Sequence, residues 1–283
     1  VEPAFPTGGR KSLHQVQTET MSAKKKDMRS RMVAPVQSIG RCGKSTLLQL
    51  VFQYLTESKI ETSLIDCDDQ HTTLQKWYPQ IALLPFKRHG DLARLFEYAG
   101  ESPSELIDFP AQATSEILEA FRAFQIERLF TEKGIALTIP IFASNEPAAM
   151  VSAAKIHAAT QVFADYILIE NPAKFASNLF DESKLATTMF KDAPRIRIPA
   201  LSSHTVETIQ KKGVELRKSL TFADAVAVLP IAARMETQHW MARIFNQFNG
   251  LKELLTADPA AVQNDFRPVE DLKPSKDVDF FEL

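Results

Sequence analysis

SIGRCGKSTLLQL, Ser38 to Leu50, joins a glycine-containing loop to an apolar helical run. A loop that binds a phosphate needs backbone N–H groups converging on an anion, a lysine for the outer phosphates and a hydroxyl for a divalent cation. Gly43, Lys44, Ser45 and Thr46 match this order, and Leu47, Leu48 and Leu50 open the helix whose positive end faces the anion. The pattern G-x-x-x-x-G-K-[ST] is complete except at its first glycine, where Ser38 stands, and Gly40 supplies backbone freedom two residues later.

Outward from this loop, short apolar runs alternate with longer helical patterns, which predicts an α/β fold: a mostly parallel, twisted sheet flanked by helices. The expected strands are Met32–Gln37, Glu61–Asp66, Glu105–Asp108, Ile135–Phe142, Tyr166–Glu170 and Arg195–Pro199, with a further candidate at Ala225–Leu229. Helices are expected at Ser45–Ser58, Ala113–Lys133, Pro147–Ala164, Ser203–Leu220 and Ala233–Leu255. Pro35 weakens the first strand by removing a ladder donor.

The chain has 283 residues, 45% of them hydrophobic and 24% charged, enough to bury a sizeable core. No run reaches the roughly 18 apolar residues of a membrane span, and a cytoplasmic location is expected. Cys42 and Cys67 are too few for a disulfide framework and have no zinc spacing. Residues 1–31 carry seven Lys/Arg against three acidic side chains, and residues 255–283 carry three against seven. The chain therefore divides into a disordered basic N-terminal extension (1–30), a central domain (31–256) and an acidic tail (257–283). Met21, followed by Ser-Ala-Lys-Lys-Lys, has the look of a natural start, so the first 20 residues read as an upstream extension or expression remnant.

Two acidic strand ends follow the loop. The first reads Leu64-Ile65-Asp66-Cys67-Asp68-Asp69-Gln70, the second Glu105-Leu106-Ile107-Asp108-Phe109-Pro110-Ala111-Gln112. Carboxylates at the carboxyl end of parallel strands lie on the edge where open α/β sheets bind ligands. Read this way, Asp108 is a Walker B carboxylate holding a magnesium shell through water or the Ser45 hydroxyl. Asp68 and Asp69 are equally suited to capping a turn. Glu170-Asn171-Pro172 is a rival Walker B element that fits the strand order less well.

GKST, IDCDDQ and IDFPAQ, in this order, resemble the ParA/MinD family of deviant-Walker P-loop ATPases, over roughly residues 32–255 and nearest to the plasmid partition, stability and conjugation branch. The resemblance implies ATP and Mg²⁺ as cofactors, slow hydrolysis, and ATP-dependent homodimerisation coupled to non-specific DNA or to a DNA-binding or transfer protein. It assigns Gly40, Arg41, Cys42, Gly43, Lys44, Ser45 and Thr46 to the phosphates, and Ser45, Asp66 and Asp108 to the metal. Lys44 and Asp68 become catalytic, and Asn171, Pro199, Ala200 and Leu201 hold the base. One departure stands out: the family's signature lysine falls at Ile39. Arg41 is a candidate replacement, since a guanidinium stabilises charge developing in phosphoryl transfer; bound to a carboxylate or to solvent, it would have no such role. Scattered Lys211, Lys212, Arg217, Lys218, Arg234 and Arg243 suit phosphate contacts or a solvated face. An ATP-dependent ligase or kinase of the dethiobiotin or cobyric acid synthetase kind, and a pseudo-ATPase adaptor, are the alternatives.

Overall fold

The computed structural model describes residues 28–87 and 89–262. Among the described residues seven strands form one sheet: β1 Ser30–Val33, β2 Thr62–Asp66, β3 Ala82–Leu83, β4 Ser104–Asp108, β5 Ile135–Phe142, β6 Ala164–Glu170 and β7 Arg195–Arg197. Their spatial order is β3-β2-β4-β1-β5-β6-β7, and every pairing is parallel. Asp66 therefore lies in register with Asp108, and both strands end at the same edge as β1.

Alternation along the strands builds two cores. Met32, Ile107, Ile139, Ile141 and Leu168 face one layer of helices, while Val33, Leu106, Phe142, Ile167 and Ile169 face the other. The second layer is led by α1, Lys44–Glu57, whose Leu47, Leu48, Val51 and Leu55 recur at helical spacing and are buried. Tyr54 of α1 packs against Phe245 and Phe248 of the long helix Ile231–Asn249, with ring centroids 5.6 and 5.4 Å apart. The helix α1 ends at Glu57 and is capped by Ser58, followed by Lys59 at φ 59, a left-handed stop.

Several boundaries differ from the sequence reading, each for a local reason. Ala225–Leu229 is not a strand: Phe222–Val228 is a helix, fixed by a reciprocal capping box between Thr221 and Asp224. The helix expected over Ala113–Lys133 is two, Thr114–Ala123 and Ile126–Lys133, broken at Gln125 with φ 49. Ser203–Leu216 stops four residues early at left-handed Arg217, and Ile231–Asn249 gives way to a short turn, Lys252–Leu254. The first strand begins at Ser30, one residue before the expected domain start, and is over before Pro35. At the other end, Ala257 donates to the Pro103 carbonyl at 2.9 Å and Val262 is buried, so residues at the start of the expected tail pack against the sheet domain. The remainder of the expected extension and tail lies outside the described residues.

Candidate functional site

The loop leaves β1 through Ala34-Pro35-Val36 and is fastened before it turns. Gln37 is buried, donates to the Phe142 and Ala149 carbonyls at 3.2 and 3.0 Å, and accepts from the Phe142 N–H at 2.8 Å. Ser38, where the pattern has glycine, donates its N–H to Ser152 Oγ at 2.9 Å and its hydroxyl to Thr114 Oγ1 at 2.8 Å. The substituted serine thus ties the loop to the two helices that follow β4 and β5. Ile39 is buried at 4% exposure among Cys42, Leu47 and Leu48, so this position points into the core.

The left-handed residues are Arg41 (φ 56) and Gly43 (φ 103), not Gly40, where an added Cβ would meet nothing within 4 Å. At Gly43 the same Cβ would stand 2.8 Å from Asn171 Nδ2, so conformation and space both require glycine. That Asn171 nitrogen donates to the Cys42 carbonyl at 2.8 Å, making Asn171 a clamp on the loop as well as part of the cavity beside it. Arg41 is exposed and has no bonded partner among the described residues.

Lys44 opens α1 and is buried, its Nζ donating to the Gln37 and Ile39 carbonyls at 3.2 and 3.3 Å. Burial lowers its pKa, against the pull of Cys42, Asp108 and Asp68. Next to it the Ser45 hydroxyl donates to Asp108 Oδ2 at 2.5 Å. Burial pushes the Asp108 carboxyl up to about 7; Ser45 and Lys44 oppose the shift, while Asp66 and Asp68 add to it. The structure therefore brings Lys44, Ser45, Asp66, Asp68 and Asp108 to one sheet edge.

Asp66 turns its oxygens toward the backbone N–H groups of Asp68 and Gln75, at 3.1 and 3.2 Å. Asp68 accepts from Gln70 and His71 N–H groups at 3.0 Å each, the turn-capping role open to it in sequence, and Asp69 pairs with Lys87 at 2.8 Å. Among the described residues no group of three or more His, Cys, Asp or Glu could by itself hold a metal ion. What fits Mg²⁺ is the adjacent hydroxyl and carboxylate of Ser45 and Asp108, a set that phosphate oxygens would complete.

Thr46, Gly43, Asn171, Pro199, Ala200 and Leu201 line one cavity of about 910 Å³. Its loop is held from behind: the Trp240 indole donates to the Pro199 carbonyl at 2.5 Å, and Gln247 bonds both the N–H and the carbonyl of Arg197. Sequence reasoning missed these fasteners, Gln37, Thr114, Ser152 and Trp240, because each acts over a long chain separation. Both cysteines are buried, and burial raises the Cys42 thiol to about 11 and moves the Cys67 thiol in the same direction.

A seven-stranded parallel sheet with this loop between β1 and α1 is an α/β P-loop fold. No family model matches the chain, and no curated protein matches it. Solved structures do match, among them the crystal structure of FlhF complexed with GMPPNP/Mg²⁺, at 13% identity and a TM-score of 0.38, covering 69% of this chain and 79% of that one. A second, FlhF complexed with GTP/Mg²⁺, matches at 15% identity and a TM-score of 0.36 over the same shares. The fold assignment rests on the sheet and loop described above rather than on likeness at this level. Neither of these two structures bears a ParA/MinD name. Among the described residues no helix is long and apolar enough to cross a membrane.

Proposed function

We propose that the chain is a Mg²⁺-dependent, ATP-binding switch of the ParA/MinD type, acting in the cytoplasm in DNA partition or conjugative transfer. The observation that carries the nucleotide reading is the Ser45–Asp108 bond beside Lys44, at the amino end of a helix entered through left-handed Gly43. Lys44 exchanges the carbonyls of Gln37 and Ile39 for phosphate oxygens, which suit its charge better. Ser45 and Asp108, the latter as an ionised carboxylate, would hold Mg²⁺, and the ion would supply positive charge to the phosphates. Asp68, on the turn after β2, faces the same edge and is the candidate for orienting water.

Turnover on this reading of the loop is slow. The position that carries a lysine in ParA/MinD proteins is buried Ile39, and Asp68 is engaged in its own turn. Arg41, exposed at the tip of the loop, is the charge available to stabilise the transition state, in cis or toward a second copy. Arg41→Ala should lower turnover at least tenfold and leave nucleotide affinity nearly intact, because an arginine contributing only to the transition state acts on kcat. Lys212 and Lys218 are paired with Glu215 and Asp224, and Arg234 donates to the Leu229 carbonyl, which leaves Lys211, Arg217 and Arg243 of this set as the cations for DNA phosphates.

Size-exclusion chromatography with and without ATP-Mg²⁺ and a DNA fragment tests the switch. The expected result is a dimer, co-eluting with DNA, only when ATP and Mg²⁺ are present. A nucleotide-loaded monomer that ignores DNA would leave the binding site and remove the switch.

A further inference from the structure

Gln49 is a polar residue in the otherwise apolar stretch Leu47-Leu48-Gln49-Leu50-Val51, and it stands on α1 three residues after Thr46, on the same helix face. It is 1% exposed, and its amide nitrogen has no hydrogen-bond partner among the described residues. A buried donor left unmade costs stability, so its presence calls for an acceptor that arrives from elsewhere. Gln49 lines the same cavity as Thr46, Asn171 and Pro199–Leu201. Asn171, the sequence's candidate for the base, already gives its amide nitrogen to the Cys42 carbonyl.

We infer that Gln49 reads the base of the bound nucleotide and selects adenine. A glutamine amide donates to N7 and accepts from the N6 amino group of adenine in one bidentate contact; guanine offers acceptors at both O6 and N7 and cannot satisfy it. The assignment rests on the nucleotide reading above. One turn further along α1, Gln53 also has an unpartnered amide atom, its Oε1, while its nitrogen bonds Glu57 at 2.9 Å. Gln53 does not line the cavity, so it separates a ligand role from mutual pairing of the two glutamines.

The test is competition of ATP, GTP and ITP against a fluorescent nucleotide in the presence of Mg²⁺, with wild type, Gln49→Leu, Gln49→Glu and Gln53→Leu. Wild type should favour ATP over both competitors by at least tenfold. Gln49→Leu and Gln49→Glu should weaken ATP about tenfold and leave GTP unchanged, and retained GTP binding shows that the variants fold. Gln53→Leu should keep the preference. An unchanged ATP-to-GTP ratio in both Gln49 variants overturns the inference, as does loss of the preference in Gln53→Leu. Wild type that binds nucleotides without base preference overturns Gln49 alone; wild type that binds none overturns the phosphate-loop reading and this inference with it.

Discussion

Asp108→Asn separates the cost of the site from its use. In metal-free protein the Asp108 carboxyl is 4% exposed and is raised from 3.8 to about 7, chiefly by burial. A carboxyl whose folded pKa lies above its unfolded one holds an extra proton in the native state. Its contribution is fully present below pH 3.8 and is lost as pH rises toward 7. At about 1.4 kcal/mol per pKa unit, the loss is about 4 kcal/mol by pH 8 and about 1.6 kcal/mol at pH 5. Asparagine keeps an oxygen for the Ser45 hydroxyl and carries no charge to bury. The variant should therefore be more stable than wild type in EDTA at pH 8, by about 2–4 kcal/mol, with a gain that shrinks by about half or more at pH 5. Urea denaturation at pH 5, 6.5 and 8 measures both. A gain independent of pH, or a variant less stable than wild type at pH 8, would refute the reasoning. The same variant should lose Mg²⁺-dependent nucleotide binding, which places the cost of the buried carboxyl in the function it serves.

Gly43→Ala and Gly40→Ala form a contrasting pair. The first meets left-handed φ 103 and Asn171 Nδ2 at 2.8 Å, and should cost about 1–3 kcal/mol together with nucleotide binding; the second meets nothing within 4 Å and should stay within about 0.5 kcal/mol of wild type. Thermal unfolding checks both, and equal losses would contradict the loop geometry. Asn171→Ala removes the amide that clamps the Cys42 carbonyl and should destabilise by about 1–2 kcal/mol, read by urea denaturation, while loosening the loop enough to weaken ATP. Burial raises the Cys42 thiol to about 11, so native protein at pH 7.5 should resist maleimide at both cysteines and react only on unfolding; fast labelling of the folded chain would contradict it.

The parallel sheet was legible because the carboxyl ends of β2 and β4 are acidic and their apolar runs stand at regular spacing, and Ile135–Phe142 was read to the residue. The elements that escaped lack a periodic signal. Ala82–Leu83 is a two-residue edge strand, defined by pairing with Ile65 and Asp66 and by little in its own sequence. Thr73–Trp77 and Asn178–Glu182 are single short turns of helix, below the length at which a 3.6 period can be counted. Ala225–Leu229 was misread because its apolar run suits either structure, while the deciding signal, Thr221 with Asp224, lies at its amino end. That Lys44, Ser45 and Asp108 share one sheet edge is legible in the sequence because each lies in, or at the strand end beside, a short local motif. Ser38 looked like a defect in sequence and proves to be a tie, since its partners Thr114 and Ser152 lie 76 and 114 residues away.

On the proposed function, the loop around Lys44 holds a nucleotide with Mg²⁺. Calorimetric titration of ATP into wild type and Lys44→Ala, each with Mg²⁺ and with EDTA, tests it most directly. One ATP per chain should bind wild type with Mg²⁺, and chelation or loss of the lysine should each weaken binding by about tenfold or more. Equal affinity in all four titrations, or no binding by wild type with Mg²⁺, would contradict it.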